Sequence, residues 1–199
     1  IGGETSIHEY SQELEISISL SGDGYLSRKQ NKFEKGDYLI GVQSSGLMDN
    51  GFTTIRKIYG DEFRKEFVEP TFIYYDTIID LLKKEILISG MVHVTGGAFT
   101  KLKKLIDNDS DAVIEQNSYL KPQEIFYEIK ERGKLTDEEM YKIFNCGIGF
   151  ILAVPERFVR EIIFNFDSKG FKADIIGKVV SGNGNVRIQS AFSNREIVL

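Results

Sequence analysis

A histidine, a threonine and two adjacent glycines close a short apolar run: Met91, Val92, His93, Val94, Thr95, Gly96, Gly97. An imidazole exchanges protons near neutral pH. Glycines let a phosphate approach backbone N–H groups where a Cβ would stand in the way. A basic, helix-forming run from Ala98 to Ile106 comes next, so the pattern predicts strand, glycine turn and helix N-terminus. Such a junction aims several N–H groups and the positive end of a helix dipole at one spot, and anions bind there. His93 is therefore the candidate catalytic residue, able to donate to a phosphate or to a developing oxyanion. The competing reading is a core histidine bonded to a backbone carbonyl. Thr95, Gly96 and Gly97 are candidate phosphate ligands.

A second bend has the same character. Ser44, Ser45 and Gly46 follow a predicted strand, Tyr38 to Val42, and Asn50 is a candidate N-cap for a helix running to Tyr59. Hydroxyls and backbone amides there, with Asn50, are candidate phosphate ligands that could converge on an anion, or the serines could merely cap the helix. Strand ends of α/β sheets are where ligands sit. A third segment, Phe144 to Phe150, places Asn145 and Gly147 ahead of a predicted buried strand. These two are candidates for shaping a substrate pocket, whereas the lone Cys146 reads as a small core residue. His8 sits in a polar stretch and reads as a surface residue. Lys101, Lys103 and Lys104 read as a solvated helix face.

The elements that must position these residues follow from periodicity. Glu13 to Leu20 alternates apolar and polar, a half-buried strand. Ser21 to Gly24 breaks it; the Gly-x-Gly there lacks the third glycine of a nucleotide fingerprint. A polar stretch from Arg28 to Lys35 suggests a domain boundary near Phe33. Thr71 to Glu85 reads as a helix with Phe72, Tyr75, Ile79 and Leu82 on one face and Pro70 at its start. Met91 to Val94 and Ala112 to Glu115 are short strands. Pro122 to Arg132 is a helix stopped before Gly133, and Thr136 to Glu139 is a capping box for a helix through Phe144. Ile148 to Val154 is a buried strand, and Glu156 to Ser168 a helix ended by Gly170. Asp174 to Val180 and Asn185 to Gln189 are expected to pair across a Ser181–Gly184 hairpin turn. Strands separated by helices predict an α/β (α+β) fold, a mixed sheet layered by helices.

Composition bounds the partners. The 199 residues include 41% apolar and 28% charged side chains, with net charge −5. That is an ordinary globular balance without the broad basic face of a nucleic-acid binder. One cysteine excludes an internal disulfide, and with two histidines it excludes a Cys-rich zinc site. The expected compartment is reducing, hence cytoplasmic. No apolar run approaches the roughly 18 residues of a membrane span.

Five segments taken in order carry a resemblance: Gly2-Gly3-Glu4-Thr5, Ser44-Ser45-Gly46-Leu47, Glu69-Pro70-Thr71, His93-Val94-Thr95-Gly96-Gly97, and Phe144-Asn145-Cys146-Gly147-Ile148-Gly149. Together they resemble the second half of the aminoimidazole ribonucleotide synthetase (phosphoribosylformylglycinamidine cyclo-ligase) family, from Ile1 to about Val180. The resemblance implies residues 1–33 as a remnant of an N-terminal ATP-binding domain and 34–199 as a C-terminal α/β domain. It implies ATP-dependent ring closure of formylglycinamidine ribonucleotide in purine biosynthesis, with a phosphoribosyl substrate, ATP and Mg²⁺. Gly2, Gly3, Glu4 and Thr5 would lie near the nucleotide, with Glu4 the candidate metal ligand. It further implies a homodimer of the full-length protein, formed mostly through first-domain strands. The family is roughly twice as long as this chain, so the chain reads as a piece of a larger protein. Met48 stands where the family commonly has histidine, and a thioether relays no proton. The alternatives are a sister ATP-dependent enzyme, of the thiamine-monophosphate kinase or selenophosphate synthetase type, or a non-catalytic module that binds a phosphorylated metabolite.

Overall fold

The structure, a computed structural model, describes residues 31–199 apart from Asn117. The expected strand at Glu13 to Leu20, the Ser21–Gly24 break, His8 and the Gly2–Thr5 segment lie outside the described residues.

Seven strands form one mixed sheet: β1 (Tyr38–Gln43), β2 (Gly90–His93), β3 (Ser110–Glu115), β4 (Ile148–Val154), β5 (Ala173–Ser181), β6 (Val186–Gln189) and β7 (Glu196–Val198). Their spatial order is β2-β4-β1-β5-β3-β6-β7. Every neighbouring pair is antiparallel except β3 and β6, which run parallel. The helices are α1 (Phe52–Tyr59), α2 (Tyr75–Lys83), α3 (Glu124–Gly133), α4 (Asp137–Ile143) and α5 (Val159–Ser168).

Alternation along the central strands divides the core between two faces. Ile151 and Ala153 of β4 join Leu39 of β1 in one cluster, with Ile55 from α1, Ile129 from α3 and Tyr141 from α4. Phe150, Leu152 and Val154 join Ile40 and Val42 in the other, under Leu81 of α2 and Ile162 of α5. With both faces covered, β4 is buried at every residue, which explains its continuous apolar sequence. The layered mixed sheet matches the expectation from sequence.

Several local expectations are met. The capping box is present: Thr136 Oγ1 accepts from the Glu139 N–H at 3.2 Å, and the Glu139 carboxylate accepts from the Thr136 N–H at 2.8 Å. Gly170 follows α5 with φ 84°, a conformation that ends helices.

Others are corrected. The expected hairpin between β5 and β6 does not pair, because β3 lies between the two arms. The Ser181–Gly184 turn instead wraps around the start of β3. The Asp111 carboxylate accepts from the Asn183 and Asn185 N–H groups at 2.8 and 2.9 Å. Gly182 N–H donates to Asp109 O at 2.9 Å, and a Cβ at Gly182 would lie 2.0 Å from the Asp111 carboxyl carbon. The helix expected from Thr71 begins only at Tyr75, since Tyr74 is pinned: its hydroxyl donates to Gln43 O at 2.7 Å. Its buried face is Thr77 and Leu81, and Tyr75 is exposed. The basic run after Gly97 is a seven-residue 3-10 helix, Ala98–Lys104, rather than an α-helix. Asn50 does not cap α1; the N-cap is Gly51, and Asn50 Nδ2 donates to Ile143 O at the end of α4 at 2.6 Å.

Candidate functional site

The sheet order brings the sequence-predicted bends to one end of the molecule. β1 and β2 both pair antiparallel with β4, so they run parallel to each other and finish together where β4 begins. Val42, Phe150 and His93 lie in one row across these three strands. Ser44 N–H donates to Gly147 O, and Val94 N–H to Gly149 O, both at 2.9 Å. The Ser44–Gly46 and Thr95–Gly97 bends therefore flank the start of β4, two strand spacings or about 10 Å apart.

Asn145 stitches the first bend to β4. It is fully buried, donates through Nδ2 to Gly46 O at 2.7 Å and Leu47 O at 3.3 Å, and accepts the Gly147 N–H at 3.0 Å. Its amide is consumed in shaping the bend, with no surface left for a ligand. Gly147, at φ 94°, admits no Cβ because Lys121 O would lie 2.8 Å away. Ser44 is buried, and its hydroxyl and carbonyl meet the Gln123 amide at 3.2 and 2.7 Å. The Ser45 hydroxyl is buried without a hydrogen-bond partner.

Two clefts open beside this bend. One, of about 460 Å³, is lined by Ser44, Gly147, Gln43, Gln123, Lys121 and Lys172 among others. Another, of about 310 Å³, is lined by Ser45, Gly46, Arg64, Glu66, Glu69 and Glu128 among others. Arg64 is held there by Glu128 at 2.5 Å and Glu66 at 2.9 Å.

Between the bends the space is filled rather than open. Tyr74 lies over Gly149, where a Cβ would approach its hydroxyl to 2.1 Å and the Met48 sulfur to 2.8 Å. Tyr74 packs against Phe150 and His93, with ring centroids 5.5 and 6.0 Å apart. Met48 is buried beneath it, with its sulfur 3.7 Å from the Tyr74 hydroxyl. Met48 and Asp49 both adopt left-handed backbone conformations, at φ 53° and 54°, which non-glycine residues rarely do. Asp49 accepts from Thr71 Oγ1 at 2.8 Å. The Glu69-Pro70-Thr71 segment and the Ser-Ser-Gly-Leu-Met run are thus held against each other.

His93 sits half-buried in this aromatic setting, and its Nε2 is buried without a partner. Burial, aided by the nearby Lys101 ammonium, holds its pKa below the ordinary value. The imidazole is accordingly neutral at physiological pH. Lys101 donates to His93 O at 3.2 Å and to Thr95 Oγ1 at 3.3 Å, and burial lowers its pKa as well. Gly96 and Gly97 are exposed, with Gly97 at φ 83°. Cys146 is fully buried, and its thiol pKa is pushed up by burial and by Asp137, so no reactive thiolate stands here.

Sequence reasoning misses Tyr74, Gly149, Gln123 and Lys101. Tyr74 falls inside an expected helix, Gly149 inside a strand, and Lys101 in a run that reads as a solvated basic face. Only Gly149 leaves a signal, as the second glycine of Gly147-Ile148-Gly149, since glycine within a strand marks a close approach.

Residues 34–189 match the family described as AIR synthase related protein, C-terminal domain. The phosphoribosylformylglycinamidine cyclo-ligase of Thermodesulfovibrio yellowstonii is 33% identical over 203 residues, covering 92% of this chain and 59% of that protein. The Bacillus subtilis protein of the same name is 38% identical over 169 residues, 77% of this chain and 48% of that one. The Saccharolobus solfataricus protein is 35% identical over 191 residues, with coverages of 92% and 56%. The chain thus spans about half the length of the curated relatives it matches. Among solved structures, the hydrogenase maturation protein HypE superposes with TM-score 0.60 at 15% identity, over 85% of this chain and 54% of that one. PurLQS of Thermotoga maritima does so with TM-score 0.52 at 10% identity, over 84% and 26%. At such identities the likeness is one of fold.

Proposed function

The chain belongs to the AIR synthase related family, whose C-terminal domain it matches over residues 34–189, and on that premise we propose that it is the C-terminal part of an ATP-dependent phosphoribosylformylglycinamidine cyclo-ligase. Residues 34–199 are then the C-terminal domain and 1–33 the end of the preceding ATP-binding domain. The reading is supported by relatives of that name at 33 and 38% identity. The observation that carries it is the meeting of four of the five sequence segments where β1 and β2 end and β4 begins.

In the proposed reaction, ATP phosphorylates the formyl oxygen of formylglycinamidine ribonucleotide. The amidine nitrogen closes the imidazole ring and phosphate leaves. Phosphoryl transfer asks for positioning and charge stabilisation more than covalent work by the protein, and the described residues of this site offer no activated nucleophile. The Thr95–Gly97 bend, whose glycines are exposed, contacts the substrate phosphate, and the Ser44–Gly46 bend borders the site from the adjoining cleft. Asn145, Gly147 and Asn50 shape the bends from behind. His93, neutral because it is buried, accepts the proton released by the attacking amidine nitrogen. Met48 cannot share that task, which leaves His93 as the imidazole of the site among the described residues.

ATP is the co-substrate, and Gly2, Gly3, Glu4 and Thr5 are proposed to lie beside it in the intact protein. Among the described residues no group of three or more His, Cys, Asp or Glu side chains is placed to hold a metal. Glu4 is the candidate ligand for Mg²⁺, and the steps assigned to His93 and the two bends do not pass through the ion. No helix among the described residues is long and apolar enough to cross a membrane. The test is ADP release by the full-length protein. Release that depends on formylglycinamidine ribonucleotide is expected, and its absence defeats the proposal.

A further inference from the structure

We infer that Lys101 supplies the positive charge that seats a phosphate group at the Gly96–Gly97 turn, an inference that rests on reading this turn as part of the substrate site. Lys101 stands apart from its neighbours. Lys103 and Lys104 are exposed, while Lys101 is partly buried and folds back across the turn. Its Nζ donates to His93 O at 3.2 Å and to Thr95 Oγ1 at 3.3 Å. Both acceptors are neutral. An ammonium carries three N–H donors, so one remains.

Several lysines have their charge answered by a carboxylate. Lys32, Lys35, Lys130 and Lys142 each hold an Asp or Glu oxygen within 3.0 Å. Lys101 holds none among the described residues. A partly buried cation with no counter-charge is costly, and an arriving anion removes that cost.

The backbone beside it is prepared for the same ligand. Thr95 N–H donates to His93 O at 3.0 Å and Ala98 N–H to Thr95 O at 3.2 Å. Gly96 and Gly97 are exposed between them, and neither N–H makes a hydrogen bond among the described residues. Gly96 is open, since a Cβ there would meet nothing within 4 Å. Two unpaired N–H groups at an exposed glycine turn suit an anion, and the third donor is the ammonium. A phosphate monoester, with its two charges and several acceptor oxygens, fits this set of donors better than a single carboxylate. The group could belong to a sugar phosphate or to a nucleotide, and binding of either kind satisfies the inference.

The test is an amide NMR titration of the 199-residue chain with inorganic phosphate, ribose 5-phosphate and ATP in separate arms. Saturable movement of the Gly96 and Gly97 amides is expected, and the arm that saturates at the lowest concentration identifies the source. Lys101→Met should weaken binding about tenfold, as loss of one charge-assisted contact does. Lys101→Arg should retain it within about threefold, and Lys103→Met should leave it unchanged. Wild-type amides that stay still at millimolar ligand overturn the inference, even where the methionine variant fails to fold. So does a Lys101→Met variant that binds as wild type does. Phosphate binding with these properties in a protein that releases no substrate-dependent ADP would instead defeat the proposed function and leave the seat standing.

Discussion

Gly149 is the position where the site depends most directly on an absent side chain, and Gly149→Ala is the sharpest perturbation of it. A Cβ there would lie 2.1 Å from the Tyr74 hydroxyl and 2.8 Å from the Met48 sulfur. Tyr74 is only 4% exposed and packs against His93 and Phe150, so the ring has little room to retreat. Overpacking of this kind costs about 1–3 kcal/mol. Displacing the hydroxyl also breaks its 2.7 Å bond to Gln43 O, about 1 kcal/mol more. The total is about 2–4 kcal/mol, and each kcal/mol lowers Tm by about 2–4 °C in a domain of this size. The hydroxyl is the nearest atom, so Tyr74→Phe removes the worst contact. Tyr74→Phe alone should cost about 1 kcal/mol, and in the double variant the alanine should cost at least about 1 kcal/mol less than it does alone. Urea unfolding of the four proteins closes the cycle. A Gly149→Ala variant within about 0.5 kcal/mol of wild type, or one unrelieved by Tyr74→Phe, refutes this packing of Tyr74 over the strand.

Asn145→Ala should destabilise by about 2–4 kcal/mol in the same assay, since it strands the buried Gly46 carbonyl and Gly147 N–H together. Asp111→Asn probes the wrapped turn. The carboxylate pKa is held down: burial opposes ionisation, and the Asn185 and Asn183 N–H bonds outweigh it. A depressed carboxylate stabilises the fold above its unfolded pKa and loses that contribution as pH falls through the lower folded value. The variant should therefore be less stable at pH 7 and lose less stability below about pH 4. For His93 the sign is the same and the cause differs: burial disfavours the protonated ring, so the unfolded chain binds the proton more readily, and stability falls as pH drops from about 6.5 through the lower folded value. NMR titration of the ring should place its midpoint below 6.5. Lys101→Met should move that midpoint upward by removing a neighbouring positive charge, and an unmoved midpoint speaks against their contact.

Sequence reasoning reached the elements whose signals are local. The capping box at Thr136–Glu139, the buried run Ile148–Val154 and the glycine after α5 each state their structure within a few residues. So do the bends at Ser44 and Thr95, because glycine and hydroxyl residues at strand ends have few other uses. Their residue types and order also carried the family resemblance. Pairing was not legible. The Ser181–Gly184 turn has the composition of a hairpin, yet its arms receive β3, a strand from far earlier in the chain; nothing in the turn itself names Asp111 as its partner.

The site divides along the same line. Composition and spacing chose His93, the glycine turn and the serine bend as chemistry-bearing, because those residue types fix what protons and anions can do. Tertiary structure decided the rest. It set the two bends two strands apart at the head of β4. It drew Tyr74 out of its expected helix to roof Gly149, and buried Asn145 as a clamp. It also turned Lys101 inward, away from the solvated run to which its sequence neighbours belong. Such choices depend on which distant strand lies alongside, and hydrogen bonds and burial between remote segments leave no period in the chain.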